Sequence, residues 1–122
     1  MELDREQVLE RFLLYSGEDG ETASPERKAL WEALCEGGAK WAETQAGPGA
    51  AGWEESLVGL AAAQAFYHLV LADGALLPGS LSTPEVKLDW AAREEKARAL
   101  AQEQRRLCGP VLRDGDFYFG RA

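Results

Sequence analysis

Sixteen consecutive positions, LVGLAAAQAFYHLVLA from Leu57 to Ala72, constrain this chain more than any other stretch. The run is apolar almost all round, broken only by Gln64 and His68. A helix with no polar face has to be covered on several sides, which makes it the centre of a helical bundle. Gly59, Ala61, Ala62, Ala63 and Ala65 would let its neighbours approach closely. The run is too short and carries too much polarity to be read as a membrane span. We expect a helix from about Trp53 to Ala72.

The flanking segments supply amphipathic partners for such a helix. Asp4 can cap a first helix, with Gln7 three positions on, and Val8, Leu9, Phe12 and Leu13 recur at helical spacing up to Tyr15. SGEDGE, Ser16 to Glu21, is a polar loop. Ser24-Pro25-Glu26 is a strong start for a second helix: a capping hydroxyl, a proline suited to the first turn, and an acid that complements the dipole. Leu30, Leu34 and Trp41 would line its apolar face. Gly37-Gly38 lies inside it, and two glycines cost about 2 kcal/mol against alanine in a helix. Either the helix bends there or another backbone packs against it. AGPGAAG, Ala46 to Gly52, then breaks the helix.

After the central helix, DGALLPGSLSTPEVKL (Asp73 to Leu88) holds two prolines and two glycines. Val86, Leu88 and Trp90 alternate with Lys87 and Asp89, a strand-like spacing. We therefore expect an irregular or β insertion near 75–90. A fourth, strongly charged helix should run from Asp89 or Trp90 to Leu107, with Ala97, Leu100, Ala101, Gln104 and Leu107 as its stripe. Cys108-Gly109-Pro110 interrupts it, and Val111 and Leu112 could make one more turn. The expectation is a single all-α domain over 1–122, about four helices with a short insertion, and 113–122 as an aromatic tail.

Charge limits the partners. Residues 1–60 carry 13 acids against five bases, whereas residues 61–122 carry eight of each, for a net charge of −8. Counterion-release binding to nucleic acid needs clustered Lys and Arg, and this balance argues against it. Arg93, Lys96, Arg98, Arg105 and Arg106 alternate with Glu94, Glu95 and Glu103, the pattern of a salt-bridged, solvated helix face.

Catalytic constellations are scarce. Cys35 and Cys108 are 73 positions apart, which fits neither a zinc motif nor a CxxC pair; with no basic-plus-apolar leader in the sequence, two buried thiols in a reducing compartment are expected. The one histidine, His68, has Gln64 and Ala72 four positions away and so lacks a metal partner on its helix. A hydrogen-bonded histidine at the core edge is the expected role. Glu54-Glu55 and Glu94-Glu95 are adjacent on helices and do not face each other. Phosphate-loop, dinucleotide, nucleophile-elbow and HExxH motifs are all missing from the sequence. No enzyme, cofactor or metal is expected.

One feature is left over. RDGDFYFGRA, Arg113 to Ala122, places Phe117, Tyr118 and Phe119 in a row. An extended chain would turn Phe117 and Phe119 to one side. They could fold back between helices or dock on another chain by adding to a sheet edge or filling a pocket.

The helix order, the segment ALWEALCEGGAKWAE, the Ala-rich GLAAAQAFYHLVLA, the EVKLD segment and the terminal PVLRDGDFYFGRA together resemble the small helical head–tail connector (adaptor) proteins of tailed phages and prophages. The likeness covers most of the chain from about residue 5 and includes no catalytic signature. It implies a structural subunit that docks on the portal ring, assembles there into a homo-oligomeric ring and meets neck or tail proteins. DNA would pass through its channel without specific binding, and an acidic surface suits that passage. It implies location in the bacterial host cytoplasm during assembly and then in the virion, with no membrane partner. It gives a docking role to Phe117, Tyr118 and Phe119, and to Val86 and Leu88 in the preceding arm. The rival expectation is a helical interaction module of a non-phage bacterial system.

Overall fold

A computed structural model describes residues 2–75 and 84–113 of the chain. Four helices follow in order: α1 (Arg5–Ser16), α2 (Pro25–Gln45), α3 (Glu54–Ala75) and α4 (Pro84–Cys108), with a 3-10 turn at Gly109–Val111. Among the described residues there is no strand, only an isolated antiparallel bridge between Ala46 and Leu112. The all-α expectation holds.

Local chemistry explains the helix ends. The Asp4 carboxylate accepts hydrogen bonds from the Glu6 and Gln7 amides at 2.9 and 3.3 Å, satisfying donors that the first turn leaves open. Helix α1 stops at Gly17, whose φ of 73° is left-handed and cheap only for glycine. Ser24 Oγ accepts from Arg27 N at 3.1 Å and opens α2 as expected.

Helix α3 is the hub, packing against α1, α2 and α4, as its all-round apolarity requires. Leu57, Leu60, Ala61, Ala62, Ala65, Leu69 and Val70 are fully buried along it. It is longer than expected, and Glu54–Gly74 is long and apolar enough to cross a membrane by length and composition; 61% of its most apolar 18 residues are buried inside the protein. Its partners cover it with small residues. The buried face of α2 is Trp31, Cys35, Gly38, Ala39 and Ala42, while Leu30, Leu34 and Trp41 sit at the edge of the core. The sequence reading had the stripe one position off, because it followed the large side chains. Tight packing needed the small ones. A Cβ on Gly38 would stand 2.5 Å from the Ala61 carbonyl oxygen, whereas one on Gly37 would meet nothing within 4 Å. Of the two sequence alternatives for the glycine pair, close backbone approach is realised, and at Gly38 alone.

Over residues 84–90 helix α4 takes the place of the expected irregular or β insertion, whose residues 76–83 lie outside the described residues. It begins at Pro84, so Val86 and Leu88 lie in its first turns and not in a strand. The cause is legible afterwards. Thr83-Pro84-Glu85 repeats the pattern of Ser24-Pro25-Glu26, a hydroxyl residue, a proline and an acid that start a helix. Those start signals outweighed a three-residue alternation. Farther on, Trp90 covers Gly74 so closely that a side chain at 74 would collide with the indole. Its Nε1 donates to the Val70 carbonyl at 2.8 Å. At the other end of α4, Cys108 Sγ lies 3.3 Å from the Ser56 carbonyl, so α3 and α4 run antiparallel.

Candidate functional site

Three places on this frame gather polar or aromatic groups. The first is where the chain approaches its tail. After the 3-10 turn, residues 111–113 pair antiparallel with residues 45–47. Gly47 N donates to the Val111 carbonyl at 2.7 Å, and Arg113 N donates to the Gln45 carbonyl at 2.7 Å. The Arg113 guanidinium adds a bond to the Ala46 carbonyl at 3.0 Å. Val111 and Leu112 are buried beneath. Gly47 is suited to this approach, since a Cβ there would stand 3.1 Å from Val111 O. The predicted extra turn at Val111–Leu112 is thus a 3-10 turn followed by a pinned, extended exit.

The second is a furrow of ≈ 270 Å³ between α3 and α4, lined by Gln64, Tyr67, Arg98, Ala101, Gln102 and Arg105. The Arg105 guanidinium lies 5.2 Å from the centre of the Trp41 ring, a cation–π contact that brings α2 to the furrow's edge. Arg98 pairs with Glu94 one turn back along α4. Tyr67 first, and Glu94 second, hold the Arg98 guanidinium above its ordinary pKa. His68 is exposed beside the furrow, with its Nε2 3.3 Å from the Gln64 amide nitrogen. The expected hydrogen-bonded role holds, on the surface and not at the core edge. Its partner is the i−4 residue that argued against a metal site.

The third is an ion network at the far end of the bundle. Arg27 donates twice to Asp73, at 2.7 and 2.9 Å, and once to Glu18 at 2.6 Å. Arg93 joins Asp73 at 3.0 Å and lies 5.7 Å from the Phe66 ring centre. Trp31 Nε1 donates to Glu18 at 3.0 Å. Arg27, and then Arg93, hold the Asp73 carboxyl below its ordinary range, against an opposing effect of burial. The network ties the α1–α2 loop to α2, α3 and α4. Its members are scattered from Glu18 to Arg93, and no local spacing announces them. A smaller clamp, Arg5 on Glu36 and Glu43, fixes α1 to α2.

Both cysteines are buried with free thiols. Burial pushes the Cys35 thiol up to about 12 and raises that of Cys108. Neither is activated, since a reactive thiol needs a lowered pKa. Among the described residues no group of three or more His, Cys, Asp or Glu is placed to hold a metal ion.

Of the sequence-predicted docking residues, Val86 and Leu88 stand on the first turns of α4. Phe117, Tyr118 and Phe119 lie outside the described residues. The furrow was not foreseen. Trp41 and the Arg98–Arg105 spacing are the sequence signals that could have found it, since seven positions put both arginines on one side of α4. No protein-family model, curated protein or solved structure matches the chain.

Proposed function

We propose that this chain is a structural head–tail connector subunit of a tailed phage or prophage. It docks on the portal ring, assembles there into a homo-oligomeric ring, extends the DNA channel and meets neck or tail proteins. It works without catalysis or cofactor. The observation that carries the reading is the pinned exit at Arg113. Two backbone hydrogen bonds and the Arg113 side chain fix the chain against the α2–α3 connector, immediately before the sequence DGDFYFGRA. A partner-binding segment gains affinity when its root is held, because less freedom is lost on binding. Aromatic side chains are the usual anchors of such contacts. The net charge of −8 suits a surface along which DNA slides without sticking.

The test is light scattering on the purified protein, alone and mixed with a candidate portal protein. The connector reading expects a large joint complex with the full chain. It also expects none with a chain lacking residues 116–122, which keeps its helical circular dichroism and melting temperature. A full chain that ignores the portal overturns the reading in favour of a helical interaction module of another bacterial system. Loss of the fold on truncation would make the tail part of the core and end its docking role.

A further inference from the structure

Helices α1 and α2 leave a groove of ≈ 240 Å³ between them, lined by Arg5, Glu6 and Leu9 from α1 and by Glu32, Cys35 and Glu36 from α2. The two helices run antiparallel, since Arg5 meets Glu36 and Glu43 while Trp31 meets Glu18 just beyond α1. The Arg5–Glu36 ion pair, at 3.0 Å, therefore closes one end of the groove. Leu9 and the buried Cys35 supply its apolar floor. Arg5 is the one cation in the lining and is already shared between Glu36 and Glu43. Glu6 and Glu32 stand exposed on opposite walls, and among the described residues neither carboxylate has an ion pair or a hydrogen bond. Lys28, one turn before Glu32, does not pair with it.

Size and charge together select an occupant. Small-molecule pockets hold about 300–1,000 Å³, so this groove has room for one side chain and not for a cofactor. An apolar floor beneath two uncompensated carboxylates fits a side chain with an aliphatic stem and a cationic head. Arginine and lysine bury their stems in this way while the head stays with water or an acid. Arginine is the better match, because its five donors lie in one plane and can serve carboxylates on both walls. A purely apolar side chain would leave Glu6 and Glu32 unserved, and an acidic one would be repelled. The excess of acids over residues 1–60, 13 against five bases, draws a cation toward this half of the chain. Every arginine among the described residues already holds a partner within its own chain, so a second copy has none to spare there.

We infer that the groove between α1 and α2 is a docking site for an arginine presented by a basic segment of another protein. The stem of that arginine lies on Leu9 beside Cys35, and its guanidinium bridges Glu6 and Glu32. The inference goes beyond the connector reading and does not rest on it, since the groove shares no residue with the pinned exit at Arg113.

The experiment titrates the isotope-labelled full chain with N-acetyl-arginine N-methylamide, a single arginine in a peptide frame, and follows the backbone amide signals. Those of Glu6, Leu9, Glu32 and Cys35 should shift along one saturating curve, while those of Gln64 and Gln102 at the other furrow stay in place. The norleucine analogue keeps the stem and loses the charge, and methylguanidinium keeps the charge and loses the stem. Each should bind about tenfold more weakly than the arginine probe. Glu6→Gln with Glu32→Gln should weaken the arginine probe about tenfold, with helical circular dichroism unchanged. If that double variant does not fold, either single variant should give a smaller loss of the same kind. An arginine probe that shifts no groove amide up to its solubility limit, or shifts exposed acidic positions everywhere alike, overturns the site. Equal binding by methylguanidinium also overturns it, because the surface is then merely acidic; equal binding by the norleucine analogue does so because the groove is then merely apolar. Groove signals that move on raising the protein concentration alone assign the groove to a second copy and overturn it as well. Portal binding is read in parallel. An arginine-binding groove in a chain that ignores the portal keeps the inference and sinks the connector. A portal complex formed by a chain whose groove ignores arginine does the reverse.

Discussion

Two neighbouring glycines in α2 should respond to the same substitution with opposite sign. Gly37 is exposed and a Cβ there meets nothing within 4 Å. Its φ is helical, so Gly37→Ala gains the propensity difference of about 1 kcal/mol in full. Gly38 has the same propensity to gain, but its Cβ would stand 2.5 Å from Ala61 O and 3.6 Å from Ala65 Cβ. An ordinary contact with that oxygen needs about 1 Å more. The carbonyl belongs to α3 backbone, so the helices must separate, and the shift loosens Ala39 and Ala42 against their neighbours as well. Overpacking of this kind costs about 1–3 kcal/mol. After the propensity gain, Gly38→Ala should be destabilising by up to about 2 kcal/mol. For a chain of this size each kcal/mol moves the melting temperature by about 3–6 °C. Thermal unfolding followed at 222 nm should therefore show Gly37→Ala melting above the parent and Gly38→Ala below it. Equal stabilisation by both would mean that α2 and α3 do not touch at Ala61, and the close-approach account of the glycine pair would fail.

Other expectations follow from the polar contacts. Arg27→Gln should cost about 1–2 kcal/mol, because it removes both bonds to Asp73 and one to Glu18 at a partly exposed site; urea unfolding measures it. The folded-state pKa of Asp73 is depressed, so its contribution is complete above the unfolded value near 4 and is lost as pH falls through the folded value. Acid titration of stability should accordingly be shallower in Arg27→Gln than in the parent below about pH 4. Trp90→Phe should lose about 1 kcal/mol with the hydrogen bond to Val70, which chemical denaturation reads. A thiol reagent at pH 8 should label neither cysteine in the native protein and both in denaturant, and rapid native labelling of Cys35 would contradict its buried position.

The sequence alone determined those features whose cause is local. Capping at Asp4 and Ser24 needs only a side chain and the amides two or three residues on, so it could be read without knowing the fold. The central place of α3 followed from its lack of a polar face. Pro84 is equally local: Thr83-Pro84-Glu85 carries the same pattern of hydroxyl, proline and acid as Ser24-Pro25-Glu26, and it prevails over the alternation of Val86, Leu88 and Trp90.

The tertiary structure decided what depends on which surfaces meet. Whether Gly37 or Gly38 was the close contact turned on the rotation of α2 about its axis, and a shift of one residue turns a helix by about 100°. That rotation was set by the summed packing of small residues against Ala61 and Ala65, not by the large side chains that dominate a hydrophobic stripe. The ion network of Glu18, Arg27, Asp73 and Arg93 has no signature in spacing, and the furrow beside Trp41 leaves only the seven-position interval of Arg98 and Arg105, which does not say what faces them. Their members come from three or four elements, and only the packing of those elements around α3 brings the charges within reach of one another.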